Sequence, residues 1–95
     1  MHAEISLYGS LRDETDDKVV TIEVRDDATI HNALDELVSE FPGLEEQLFE
    51  TENTVNEQIV VAKNNRSIEE LDGLETLLED GDSIRLSPPV VGGNS

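Results

Sequence analysis

Apolar residues recur along this chain with two different periods. Ala3, Ile5 and Leu7 alternate with Glu4, Ser6 and Tyr8, and Val20, Ile22 and Val24 alternate with Val19, Thr21 and Glu23. A period of two puts the apolar side chains on one face of a half-buried strand. The stretch between, Gly9 to Asp17, is rich in Gly, Ser, Asp and Glu, which predicts a hairpin connection and an antiparallel strand pair. From Ile30 the period changes. Ala33, Leu34, Leu37, Val38 and Phe41 follow at spacings of three and four, the stripe of an amphipathic helix, with Thr29 as its N-cap and Pro42-Gly43 as its stop. Leu44, Leu48 and Phe49 predict a short second helical turn packed on the core.

The β-branched run Ile59-Val60-Val61-Ala62 predicts a central strand, closed by Lys63-Asn64-Asn65-Arg66. Ile68 is expected to open a brief strand. Leu71, Leu74, Leu77 and Leu78 show no alternation and predict a turn or short helix laid over the core. Glu79-Asp80-Gly81-Asp82 has turn chemistry, and Ser83 to Ser87 returns to the period of two. The order strand, strand, helix, strand, turn, strand predicts an α+β fold in two layers, a mixed sheet covered on one face by one main helix. Residues 1–87 form the expected domain and residues 88–95 a flexible C-terminal tail. In that tail Pro88 and Pro89 fix the backbone near the polyproline conformation, while Gly92 and Gly93 have no Cβ and fit a slot too narrow for other residues. At roughly 3.1–3.5 Å per residue the segment from Pro88 to Gly93 spans about 20 Å.

Composition narrows the function. Ninety-five residues suit one domain, and 23 acids against 6 bases leave a formal charge of −17. That field repels nucleic-acid phosphates and anionic membranes. The acids are spread along the whole chain, a pattern expected of a folded surface adapted to strong salt and hence of a halophilic source; an acidic protein with a basic partner is the competing explanation. Asp13, Glu14, Asp16 and Asp17 lack the glycine and the ligand spacing of a calcium loop, so they read as solvated charge. Cysteine is absent and His2 and His31 are the only histidines, which argues against a transition-metal site. No apolar run approaches the ~20 residues of a membrane span, and no basic signal-peptide segment leads the chain, so a cytoplasmic location is expected. No phosphate loop, zinc-protease helix or nucleophile motif is present, and the chain is not expected to be an enzyme. Strand alternation places Tyr8, Val19, Val60, Ala62 and Arg85 on the outer face of the sheet, a candidate partner surface; ordinary strand propensity explains Val60 equally well.

Five segments taken together resemble the MoaD/ThiS family of ubiquitin-like β-grasp proteins: Thr29 to Leu37, Phe41-Pro42-Gly43-Leu44, Val61-Ala62-Lys63-Asn64, Leu78 to Asp82, and Pro88-Pro89-Val90-Val91-Gly92-Gly93. With the acidic surface, the chain is most similar to the small archaeal modifier proteins of halophilic archaea. The resemblance covers Glu4 to Gly93 and implies a mixed sheet of four to five strands packed on one main helix. It also implies a mechanism in which an adenylating enzyme related to the ubiquitin activators, using ATP and Mg, activates the carboxylate of Gly93 after Gly92 has passed through its channel. The acyl group then ends as an isopeptide bond on a target-protein lysine. Alternatively it becomes a thiocarboxylate that donates sulfur for molybdopterin, thiamine or tRNA thiolation, with a molybdopterin synthase large subunit as one implied partner. A non-conjugated interaction domain is the third reading. No bound cofactor is implied. Family members usually end at the second glycine, whereas here Asn94-Ser95 follow, so a processing protease is an expected partner. Lys18 and Lys63, the chain's two lysines, are expected to be exposed and to be possible acceptors for self-modification.

Overall fold

Thr29 sets where the main helix begins. Its hydroxyl accepts a hydrogen bond from the Asn32 N–H while the Asn32 side-chain oxygen accepts one from the Thr29 N–H at 2.9 Å, so two otherwise orphaned donors are satisfied reciprocally. The computed structural model describes residues 1–51, 54–56 and 58–88. In chain order they form β1 (His2–Leu7), α1 (Ser10–Thr15), β2 (Val19–Glu23), α2 (Ile30–Glu40), α3 (Glu45–Leu48), β3 (Phe49–Thr51), β4 (Thr54–Val55), β5 (Val60–Lys63), β6 (Arg66–Ser67) and β7 (Ser83–Ser87). Short 3-10 turns occupy Pro42–Leu44, Ile68–Glu70 and Gly73–Glu75.

The sheet runs β2-β1-β7-β5-β6. β1 pairs antiparallel with β2 and parallel with β7, and β5 pairs antiparallel with both β7 and β6. Ala3, Ile5, Leu7, Ile22, Val61, Ile84 and Leu86 point inward from the strands and share one core with Ile30, Ala33, Leu34 and Leu37 of α2. Leu11, Leu44, Leu48, Ile68 and Leu78 close the ends of that core. This is the expected α+β, two-layer β-grasp arrangement, with five strands in the main sheet.

β5 is a central strand as expected, paired with β7 on one side and β6 on the other. Three local expectations change. The Gly9–Asp17 connection contains α1, because Leu11 and Thr15, four residues apart, turn one side of that segment into the core. Ile68 opens a 3-10 turn instead of a strand. Phe49, expected in the second helical turn, instead begins β3, which pairs with β4 as a separate two-stranded sheet. The β5–β6 hairpin closes as expected around Asn64 and Asn65, whose φ values of 49° and 73° suit the primed turn that matches strand twist.

Among the described residues no helix is long and apolar enough to cross a membrane. The ion pairs found there, Met1–Asp26, Arg25–Asp27 and Lys63–Asp82, with a His31–Asp35 contact that is ionic only when the imidazole is protonated, leave most carboxylates of the described residues without a cation. Repulsion among them acts over tens of ångströms in dilute salt and over a few at molar salt. Raising KCl from about 10 mM to 2 M is therefore expected to raise the melting midpoint by at least about 10 °C, equivalent to roughly 1–2 kcal/mol for a domain of this size. Circular dichroism melts across the titration measure it, and a midpoint that does not move would remove the salt-adapted reading of the surface.

Candidate functional site

β7 delivers the chain toward its C-terminal tail at the edge of a patch whose ladder residues include no acid. Across the outer face, ladder pairing aligns Val19, Ser6, Arg85, Ala62 and Ser67 in one transverse row. Tyr8, Ser87 and Val60 lie on the side of that row nearer the tail. No carboxylate belongs to either group; Glu4, aligned with Thr21 and Ser83, lies beyond them on one side, and the exposed Asp17, two residues before Val19, on the other. In a chain with 23 acids this half of the sheet is where another protein meets the least repulsion. Tyr8, Val19 and Val60 are 41%, 48% and 51% exposed, the outward placement expected from the alternation. Ala62 departs from it at 7% exposure, because its single methyl group sits between the longer cross-strand neighbours Arg85 and Ser67.

Two of the four arginines of the chain converge here. The Arg12 and Arg85 guanidiniums lie 6.0 Å and 5.9 Å from the centre of the Tyr8 ring, and Arg85 also donates to the Asn65 side-chain oxygen at 2.8 Å. Both cations are thus within reach of the ring's π electrons. Arg12 was not legible as part of this site from sequence. Once α1 is recognised the signal is visible: Tyr8 stands just before the Gly9 N-cap of that helix, and the Arg12 N–H closes its first turn on the Gly9 carbonyl at 3.1 Å.

The two lysines differ. Lys18 is exposed on the loop entering β2, and no hydrogen bond or ion pair engages its side chain among the described residues. Lys63 is not the exposed amine expected: it donates to the Leu77 carbonyl at 3.0 Å and pairs with Asp82 at 3.4 Å, with only 20% of its side chain exposed. Asp82 anchors a polar network that ties the β5–β6 hairpin to the turn before β7, accepting from the Asn64 amide and from the Glu79 N–H at 2.7 Å. Burial pushes the Asp82 carboxyl up, but the Asn64 and Glu79 hydrogen bonds and the Lys63 ammonium outweigh it and hold the group below the ordinary carboxylate range.

A depressed carboxylate stabilises the fold above its unfolded value, about 3.9, and loses that contribution as pH falls through its folded value. Asp82→Asn is therefore expected to be less stable than the wild type at pH 7, with the gap closing in acid below about pH 4. Paired denaturant melts from pH 7 to pH 2.5 in fixed molar KCl measure the gap; a difference independent of pH would mean that the carboxylate charge is not what matters.

Gly92 and Gly93, with Asn94-Ser95, lie outside the described residues, which end at Pro88. Among the described residues no group of three or more His, Cys, Asp or Glu side chains is placed to hold a metal ion.

Comparison with known proteins fits the geometry. Residues 5–93 match the ThiS family. Small archaeal modifier protein 3 of Haloferax volcanii is 37% identical over 93 residues, covering 98% of this chain and all of that protein. The crystal structure of small archaeal modifier protein 1 from the same organism superposes with a TM-score of 0.88 at 31% identity, over 98% of this chain and all of the other. A chain of the Amycolatopsis orientalis BexX/CysO complex gives a TM-score of 0.83 at 28% identity, over 96% of this chain and 99% of its own length.

Proposed function

The chain belongs to the ThiS family, and from that membership we propose that it is a ubiquitin-like protein modifier whose Gly93 carboxylate is adenylated and then joined to lysines of target proteins. The observation that carries this reading is the extent of the family match, which runs through the whole sheet to Gly93 itself. Two relatives at more than 30% identity are small archaeal modifier proteins matched over nearly their full length.

In this reading the chain supplies an acyl group and the activating enzyme supplies the chemistry, so the chain is not itself an enzyme. A Gly93 carboxylate oxygen attacks the α-phosphorus of ATP, held with Mg by that enzyme, and pyrophosphate leaves. A lysine amine of the target then attacks the acyl carbon; AMP departs, the amine loses a proton, and an isopeptide bond remains. Gly93 is bonded to Asn94 in this sequence, so a protease removes Asn94-Ser95 before activation. The acid-free face around Tyr8, Val60 and Arg85 is where the activating enzyme docks, beside the root of the tail it must capture. Of the two lysines, Lys18 is the one open to acylation. The reactions take place in the cytoplasm, where ATP is available.

Sulfur carriage is the second reading, favoured by the family itself and by the relative solved in the BexX/CysO complex. There a sulfur donor displaces AMP and Gly93 ends as a thiocarboxylate, which a synthase large subunit or a tRNA-thiolating enzyme consumes.

Mass spectrometry of the protein from its own cells separates the readings. Cleavage by trypsin after Arg85 leaves Leu86 through Gly93 on any modified lysine, whereas a thiocarboxylate shows as one oxygen of the mature chain replaced by sulfur. Finding Asn94-Ser95 retained on every copy, with neither product, would overturn both.

A further inference from the structure

The tail is rooted on bare backbone. Beyond Leu7 the β1–β7 ladder gains one more hydrogen bond, from the Tyr8 N–H to the Leu86 carbonyl at 3.2 Å, which brings Pro88 over Gly9. Gly9 has φ 58° and ψ −136°, a region that side chains do not tolerate. A Cβ placed there would lie 2.7 Å from Pro88 Cγ and 3.4 Å from Cδ. The proline ring is closed onto its own backbone, so it cannot swing aside as a long side chain would. Gly9 is itself held: the Leu11 N–H bonds to the Tyr8 carbonyl at 3.2 Å, and the Arg12 N–H to the Gly9 carbonyl at 3.1 Å. The buried Leu11 and Thr15 fix α1 behind it.

Among the described glycines with positive φ the close approach is particular to this one; at Gly43 an added Cβ would also be crowded, but by the Glu14 carboxylate, the far end of a flexible side chain. Gly73 and Gly81 also have positive φ, 62° and 87°, yet an added Cβ would meet nothing within 4 Å at either. They serve their turns. Gly9 serves its turn and also leaves room for the ring that starts the tail.

We propose that Gly9 is a positioning residue for the transfer reaction: its bare Cα seats Pro88 and so fixes the direction in which the chain leaves the sheet toward Gly93. This role rests on the modifier reading above. A root of fixed direction shrinks the volume that the reactive end must search, and the benefit appears as tighter capture by the activating enzyme with the chemical step unchanged.

The test uses the chain ending at Gly93, the adenylating enzyme of its own source, and ATP–pyrophosphate exchange in molar KCl. Gly9→Ala is expected to raise the KM for the chain about tenfold while kcat stays within about twofold. Gly73→Ala is the control, since it also places a side chain at positive φ but with no ring to displace; it should keep the wild-type KM. Pro88→Ala should raise KM as well, and the double variant should be no worse than either single one, as expected of two residues sharing one contact. An NMR contact between Gly9 Hα and the Pro88 ring, present in the wild type and in Gly73→Ala and lost in Gly9→Ala, reports the seat without the enzyme. A wild-type KM in Gly9→Ala, or an equal rise in Gly73→Ala, overturns the proposal even if the NMR contact behaves as expected. No exchange with the wild-type chain would sink the modifier reading, and this role with it.

Discussion

Deleting Gly92 and Gly93 is expected to abolish both conjugation and thiocarboxylate formation while leaving the melting curve where it was. Core packing explains the second half. Among the described residues, which end at Pro88, the last core residue is Leu86 and the last ladder pair is Val60 with Ser87. Chemistry explains the first, because adenylation needs a free carboxylate brought into line with a phosphorus atom inside a narrow channel, and misplacement by about 1 Å already costs such reactions roughly a hundredfold. A chain ending at Gly93 should react without proteolysis, and the full chain should react only after losing Asn94-Ser95. Expressing the three forms in a host able to activate them and quantifying conjugates and thiocarboxylate by mass spectrometry decides the matter. If the deletion formed the same products, the carboxylate mechanism would be wrong, and a binding domain acting through the Tyr8–Arg85 face would be the better account.

Leu37→Ala is expected to cost about 2–5 kcal/mol, out of a total of about 5–15 kcal/mol for a domain, and to lower the melting midpoint by about 10–30 °C. Leu37 is completely buried on the stripe that α2 presents to the sheet, and it shares its core with strand residues from β1, β2, β5 and β7. Removing its isobutyl group leaves a void that neighbours held by sheet ladders on one side and a capped helix on the other refill poorly. Val38→Ala, one residue on and half-buried, should cost less than half as much. Denaturant melts of both variants in saturating KCl measure the difference. Equal effects would mean that the helix face is misassigned.

Periodicity made the framework legible before any coordinates. The alternation of Ala3-Ile5-Leu7, of Val20-Ile22-Val24 and of Ile84-Leu86 placed three strands and their inner faces, and the spacing of Ile30, Ala33, Leu34 and Leu37 placed the helix and its buried stripe. Thr29 and Pro42 marked the ends of that helix because their effects are local: one hydroxyl accepting a nearby N–H, and one ring that cannot continue a helix. The outward positions Tyr8, Val60 and Arg85 followed from the same alternation. Residues far apart in the chain and close in space gave no such signal. Rank in the sheet depends on which ladders form, so the place of β7 between β1 and β5 is decided only by the fold. The half-buried pair Lys63–Asp82 joins residues nineteen apart in sequence, and neither neighbourhood hints at the other. The seat of Pro88 on Gly9 spans nearly the whole chain. Sequence alone presents that glycine as one more turn residue, because the atom that excludes a side chain from it is supplied by the parallel pairing of the first strand with the last.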